Sequence, residues 1–209
     1  MVHEQLLSKR IPQFIKNHLG ERAENSHYSY SDLLLNMTYT TFCGGECAED
    51  LNYVSDTFRH LKGLKVPSPD TLLKMQKELS TPTEQIESSS GVINKININE
   101  KLNSLLVKTA VYTGVLKTDQ EYCMDFDNQF IPTKKYDAVY SYKKQKGYFP
   151  SVASINNTPV YIEGRNGNSS VTFNQLNTFK RCFAQLEADN ISVSRVRMDS
   201  GSYIKEVCN

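Results

Sequence analysis

The chain has 209 residues, of which 39% are hydrophobic and 22% are charged, and its formal net charge at pH 7 is +1. This composition suits one large domain or two small ones with a hydrophobic core, and the near-zero charge excludes a globally basic nucleic-acid-binding protein. No apolar run approaches the roughly 20 residues of a membrane-spanning helix, and the N-terminus lacks the order of a signal peptide, so we expect a cytoplasmic protein.

Residues 1–80 are predicted to form an all-helical region. Apolar residues recur at helical spacing in four segments, which begin near residues 1, 29, 46 and 68. The fourth helix opens at Ser68-Pro69, where serine can cap the helix and proline suits its first position. The third and fourth helices are compatible with a helix-turn-helix motif, so Lys74 and Lys77 on the fourth are weaker candidates for DNA contact.

Residues 81–98 are polar and rich in Ser, Thr and Asn, and are predicted to be a linker. The remainder, 99–209, begins with a helix and then changes to strand-like alternation. We expect a helix at 99–113, strands at 121–127, 147–155 and 160–165, a helix at 173–186 and a strand at 193–199. The turn-forming cluster Asn156-Asn157-Thr158-Pro159 predicts that the second and third strands pair as a hairpin.

Two acidic strand ends are the strongest candidates for chemistry. In Glu121–Asp127 the side chains of Asp125 and Asp127 share one face, and the last strand ends at Asp199 before Ser200-Gly201. If these strands are neighbours, Asp127 and Asp199 meet and offer oxygen ligands to a hard divalent cation. Asp125 is the alternative to Asp127, which we favour because it lies nearer the strand end.

A lysine- and tyrosine-rich stretch, residues 134–148, is the candidate DNA-binding segment. Lysines contact phosphates, whereas tyrosines stack on unpaired bases or bond to phosphate oxygens. The stretch contains a single acidic residue, Asp137, together with five lysines and four tyrosines: Lys134, Lys135, Lys143, Lys144, Lys146, Tyr136, Tyr140, Tyr142 and Tyr148. Arg165 and Asn168, which follow a strand, add a cation and an amide to the predicted DNA surface, although a tight glycine turn explains their motif equally well.

The ordered series of segments resembles one known family. The run MDFDNQFIPTKKYDAVYSYKKQKGYFPSVASINNTPVYIEGRNGNSS, followed by VRMDSGSY, is similar to the core of DDE transposases of bacterial insertion sequences, in the group called transposase DDE domain group 1. LLLNMTYTTFCGGECAEDLNYV and KVPSPDTLLKMQKEL are similar to the N-terminal region of that group. The resemblance extends from about residue 29 to the end. One departure is Asn128-Gln129 after Asp127, where many members have a small residue and Thr.

The resemblance implies a fold, a reaction and partners. The fold is α+β: an all-helical region followed by an incomplete RNase H-like mixed sheet of order strand-strand-strand-helix-strand-helix. The activity is DNA transposition by two-metal phosphoryl transfer with Mg²⁺ or Mn²⁺, in which Asp127 and Asp199 are the first two catalytic acids and metal ligands. The implied partner is DNA at the transposon ends. The full-length protein would be a homodimer, and it would be associated with the bacterial nucleoid.

The third acid of the family, a glutamate on a later helix, has no counterpart here. The sequence stops at Asn209, and Glu206 follows Asp199 too closely on the next helix. We therefore expect an N-terminal portion of a transposase that is inactive alone. The alternative is a non-catalytic DNA-binding remnant or regulator derived from a transposase.

Overall fold

A computed structural model describes residues 2–202 of the chain. Contacts divide it into a first unit that ends at Ser80 and a second that begins at Thr81. Within the described residues, every helix is too short or too polar to cross a lipid bilayer. The protein combines α-helices with a mixed six-stranded sheet, which agrees with the α+β class predicted from the sequence.

The first unit is helical. Its helices are α1 (Val2–Ser8), α2 (Ile11–Leu19), α3 (Tyr30–Phe42), α4 (Leu51–Arg59) and α5 (Pro69–Leu79). Side-chain caps fix two of their starts: the Ser29 hydroxyl accepts from the Asp32 amide before α3, and the Ser68 hydroxyl accepts from the Thr71 amide before α5. The predicted start of the fourth helix is thus confirmed.

Two expectations for this unit need correction. The helix predicted at the N-terminus is divided between α1 and α2, because Arg10 adopts a left-handed conformation with φ of 52° just before the α2 turn that contains Pro12. The proposed helix-turn-helix is also wrong, since residues 60–68 separate α4 from α5, whereas that motif uses a turn of about three or four residues. Lys74 and Lys77 are nevertheless exposed on α5.

Apolar side chains from α3, α4 and α5, and from the segment between α4 and α5, form the core of the first unit. It comprises Leu33, Leu35, Tyr39, Leu51, Phe58, Leu64, Leu72 and Met75. Arg22 links the segment between α2 and α3 to α5. Its guanidinium donates two hydrogen bonds of 2.7 Å to Glu78 at the end of α5 and a third of 3.0 Å to the carbonyl of Tyr28. A buried His3 ring bonds the Tyr39 hydroxyl at 2.8 Å.

The second unit has two sheets and two α-helices among its described residues, α6 (Glu100–Tyr112) and α7 (Gln175–Ala188). Nine strands are described: β1 (Thr83–Glu87), β2 (Ile93–Ile98), β3 (Glu121–Asn128), β4 (Ile131–Pro132), β5 (Val139–Tyr140), β6 (Lys146–Tyr148), β7 (Ser151–Ile155), β8 (Thr158–Arg165) and β9 (Ser192–Met198). The main sheet has the order β1-β2-β8-β7-β3-β9, and a small sheet has the order β4-β6-β5. All neighbours are antiparallel except β3 and β9, which are parallel.

The predicted linker is a β-hairpin. Residues 83–87 and 93–98 pair antiparallel as β1 and β2, and β2 then pairs with β8, so this segment belongs to the main sheet. Its polar composition concealed the strands because only Asn94 and Ile96 are buried, while the alternate residues face solvent. Such a hairpin at the edge of a sheet needs few apolar residues, since its backbone hydrogen bonds do not depend on composition.

The hairpin predicted from Asn156-Asn157 is confirmed. These residues join β7 to β8, and both have positive φ, 51° and 59°, as a type I′ turn requires. The predicted strand at 147–155 is divided, however. Lys146–Tyr148 belongs to the small sheet, and β7 begins after Pro150.

Both helices pack on one face of the main sheet. The core there contains Val107, Ala110, Leu116, Tyr122, Met124, Phe126, Ala153, Ile155, Val160, Tyr161, Phe179, Cys182, Leu186 and Ile191. The buried Asn103 side chain links α6 to β8, because it both accepts from the amide of Ile162 at 2.8 Å and donates to its carbonyl at 2.9 Å. The opposite face of the sheet carries Asp125 and Asp127, and we call it the open face.

Candidate functional site

Two acids follow matched positions on neighbouring strands. The parallel register of β3 and β9 pairs Phe126 with Met198. Asp127 is the next residue of β3, and Asp199 directly follows the end of β9. This confirms that the two acid-bearing strands are adjacent and parallel. Since parallel strands present their carboxyl ends at one edge of a sheet, both acids lie at the same edge.

Asp127 and Asp199 are exposed and each makes one hydrogen bond to the backbone. Asp127 Oδ1 accepts from the amide of Asn128 at 2.8 Å. Asp199 Oδ1 accepts from the amide of Ser202 at 2.9 Å and so closes the short turn that follows β9. In each carboxylate the Oδ2 atom has no hydrogen-bond partner among residues 2–202, which leaves an oxygen for a ligand.

Asp125, the alternative first acid, is already paired. Arg197 on β9 donates from Nε to Asp125 Oδ1 at 2.6 Å and from Nη2 to Oδ2 at 2.7 Å. This hydrogen-bonded guanidinium lowers the pKa of Asp125 from its ordinary value. Both carboxylate oxygens therefore already accept from Arg197, and a cation at Asp125 would have to compete with that guanidinium. The geometry favours Asp127 over Asp125 as the ligand.

The donor set suits one hard cation with a largely aqueous coordination shell. Mg²⁺ often binds proteins through one or two carboxylates and retains several waters, and Asp127 and Asp199 offer two. The described part of the chain holds no group of three or more His, Cys, Asp or Glu side chains placed to bind a metal. Glu206, the acid considered for a third position, lies outside the described residues.

The open face beside Asp125 and Asp127 is concave. A groove of about 430 Å³ runs between β3 and β7, with Asp125, Asp127, Val152 and Ser154 among its lining residues. The register pairs Asp127 with Val152 and Asp125 with Ser154, so the acids and their β7 neighbours form two short rows across the groove.

The lysine- and tyrosine-rich segment forms most of the small sheet. In the chain this segment lies between β3 and β7. Its end contacts the end of β8, because Tyr148 pairs with Asn166 and the amide of Phe149 donates to the carbonyl of Arg165 at 2.9 Å. All five predicted lysines reach solvent, four exposed and Lys146 half-buried.

Three of the four tyrosines of this segment are exposed, and Tyr148 is half-buried. Tyr136 is 97% exposed, Tyr142 85% and Tyr140 62%. Lys143 lies over the ring of Tyr142 at 5.5 Å, and Lys146 lies over the ring of Tyr140 at 5.6 Å. These lysine–tyrosine pairs place a cation beside an aromatic ring at the surface, and proteins that bind single-stranded nucleic acids use both kinds of group.

Arg165 must be removed from the predicted DNA surface. Its side chain is fully buried, and it bonds Glu163, the carbonyl of Phe173 and the hydroxyl of Thr178. Alternation along β8 places it on the helix-covered face, opposite the acids. Asn168 is exposed and accepts a hydrogen bond from Asn166, so it remains available at the surface.

Sequence reasoning missed two arginines on the open face. Arg195 and Arg197 are exposed on β9 and lie opposite Cys123 and Asp125 of β3. The alternation of Val and Arg in β9 carries this signal, because it separates a partly buried apolar face from a basic one. Beside the two acids, the sheet thus presents cations as well.

Comparison with models of protein families, with curated proteins and with solved structures finds no match to this chain.

Proposed function

We propose that this chain is part of a DDE-type DNA transposase, which binds the ends of a mobile element and cuts and joins DNA by metal-dependent phosphoryl transfer. The observation that carries the proposal is the placement of Asp127 and Asp199 at one edge of two adjacent parallel strands. Strand ends are exposed and rigid, which suits acids that must hold a cation in a fixed position.

The sheet order supports an RNase H-like arrangement as the finer fold. From β3 onwards, the strands of the main sheet have the spatial order β8-β7-β3-β9. β3, β7 and β8 pair antiparallel, and β9 is parallel to β3. Helix α7 lies between β8 and β9 in the chain and packs on the face opposite the acids. This is the connection that an RNase H-like sheet requires between its third and fourth strands.

The residues of the chain divide the work. Asp127 and Asp199 would hold a divalent cation, which supplies positive charge for the developing oxyanions of phosphoryl transfer when bound. Arg197 neutralises Asp125 and so limits the negative charge that an approaching phosphate meets. The exposed lysines of the small sheet bind backbone phosphates and fix the DNA strand relative to the acids.

Cation binding tests this proposal directly. Mn²⁺ titration followed by electron paramagnetic resonance should show weak binding to the intact chain and none to the double variant Asp127→Asn/Asp199→Asn. A matched control, Asp119→Asn/Glu121→Gln, removes two exposed carboxylates from the same unit and should bind as the wild type does. Equal binding by both double variants would refute the assignment. DNA binding without any cation binding would instead favour the non-catalytic DNA-binding protein.

A further inference from the structure

A second cavity lies on the open face, between the small sheet and the β1–β2 hairpin. Its volume is about 490 Å³, and its lining includes Gln85, Lys95, Ile131, Asp137, Tyr148 and Pro150. Pockets that bind small molecules have volumes of about 300–1,000 Å³. The acids Asp127 and Asp199 are not among its lining residues, so it is a separate site on the same surface.

One wall of the cavity is polar and comes from the hairpin. The antiparallel register sets Gln85 directly opposite Lys95, and Thr83 directly opposite Asn97, so all four side chains share one face. Gln85 and Lys95 are exposed and make no side-chain hydrogen bond or ion pair within residues 2–202. An amide and an ammonium group therefore face the cavity with their hydrogen-bonding capacity free.

The other wall combines an aromatic ring with a carboxylate. The Tyr148 hydroxyl donates to Asp137 Oδ1 at 2.6 Å, and burial together with this bond raises the pKa of Tyr148 to about 12. The phenol stays protonated at neutral pH, so its proton remains committed to Asp137. The second oxygen of Asp137 has no partner in the described chain and can accept from a ligand. Ile131 and Pro150 add apolar contact area.

These groups match the parts of a nucleotide. A ring such as Tyr148 packs against a base, and an amide such as Gln85 and a carboxylate oxygen such as that of Asp137 bond to the polar edge of the base. The Lys95 ammonium suits a phosphate. The neighbouring lysine-rich small sheet would bring nucleic acid to this place.

We propose that this cavity binds a single unpaired nucleotide, with its base against Tyr148 and its phosphate at Lys95. The inference rests on the proposed function, because that function supplies the ligand, an unpaired nucleotide at a DNA end. A free mononucleotide offers the same chemistry, and the experiment separates the two.

Three DNA duplexes of one sequence provide the test: one blunt, one with a short 3′ single-stranded overhang, and one whose overhang is abasic. Fluorescence anisotropy should show about tenfold tighter binding of the overhang duplex than of the other two, since a stacked base contributes on that scale. The double variant Gln85→Ala/Lys95→Ala should lose this preference and keep its affinity for the blunt duplex. Both positions are exposed, so the variant is expected to fold.

The control variant Lys180→Ala removes an exposed lysine on α7 and should retain the preference. Equal affinity for the base-containing and abasic overhangs would overturn the inference. If the chain binds none of the duplexes, the proposed function fails. Titration with deoxycytidine and deoxyadenosine monophosphates then decides whether the cavity binds free nucleotides. Mononucleotide binding that Gln85→Ala/Lys95→Ala weakens would assign the cavity to free nucleotides, and no binding would overturn the inference.

Discussion

A buried ion-pair network between β8 and α7 makes the sharpest stability prediction. Glu163 is fully buried, and Oε1 accepts from Arg165 Nε and from the Thr178 hydroxyl, both at 3.0 Å. Its other oxygen accepts from Arg181 Nη2 at 2.5 Å and from the Tyr161 hydroxyl at 3.3 Å. Arg165 is equally buried, and burial lowers its pKa against the opposing effect of Glu163.

Glu163→Gln should lower the free energy of unfolding of the second unit by about 3–5 kcal/mol. The substitution keeps the shape of the side chain but leaves the Arg165 charge buried without a counter-charge, and breaking a buried pair costs about that much. Asp125→Asn is the matched control, because it breaks an ion pair with exposed partners, 68% and 38%, and should cost at most about 1 kcal/mol.

Amide hydrogen exchange read on peptides from β8 and α7 measures the effect within this unit, whatever the first unit does. A second variant tests the cause. Glu163→Gln/Arg165→Met also removes the buried Arg165 charge that the single variant leaves unpaired, and it should regain part of the loss, since that uncompensated charge is the main cause of the destabilisation. A loss below about 1 kcal/mol for Glu163→Gln, or a double variant less stable than the single one, would refute the reasoning.

Three further predictions follow from the second unit. Replacing Lys143, Lys144 and Lys146 with alanine should flatten the slope of log affinity for DNA against log salt by up to about three units, and an unchanged slope would exclude phosphate contact by these lysines. Burial raises the pKa of Cys182 from 9.0 to about 12, so its contribution to stability is complete below pH 9 and is lost as the pH rises towards 12. Between pH 9 and pH 12 the free energy of unfolding should therefore fall less steeply for Cys182→Ala than for the wild type, and an equal slope would contradict this. Gly167→Ala should destabilise the docking of the small sheet by about 1–3 kcal/mol, because a Cβ would lie 2.5 and 2.7 Å from carbonyl oxygens of that sheet, and unaltered exchange rates in β5 and β6 would contradict this.

Local signals in the sequence predicted several of the element boundaries. Ser68-Pro69 predicted the start of α5, and Asn156-Asn157 predicted the β7–β8 turn, because caps and turns depend on the conformational preferences of a few adjacent residues. The alternation of β3 likewise separated Asp125 and Asp127 from the buried face. A meeting of Asp127 and Asp199 required the two strands that precede them to be neighbours, and the structure pairs β3 with β9.

Only the tertiary structure decided how each polar residue is used. Asp125 and Asp127 have the same local pattern, and their difference comes from Arg197, which lies 72 positions further along the chain than Asp125. Arg165 resembles a surface cation in sequence, yet pairing with Glu163 and packing against α7 bury it. The β1–β2 hairpin was hidden for a similar reason, because backbone pairing to β8 stabilises it with few apolar residues of its own. Composition and periodicity report local preference and burial, whereas these outcomes depend on long-range contacts that form only when the chain folds.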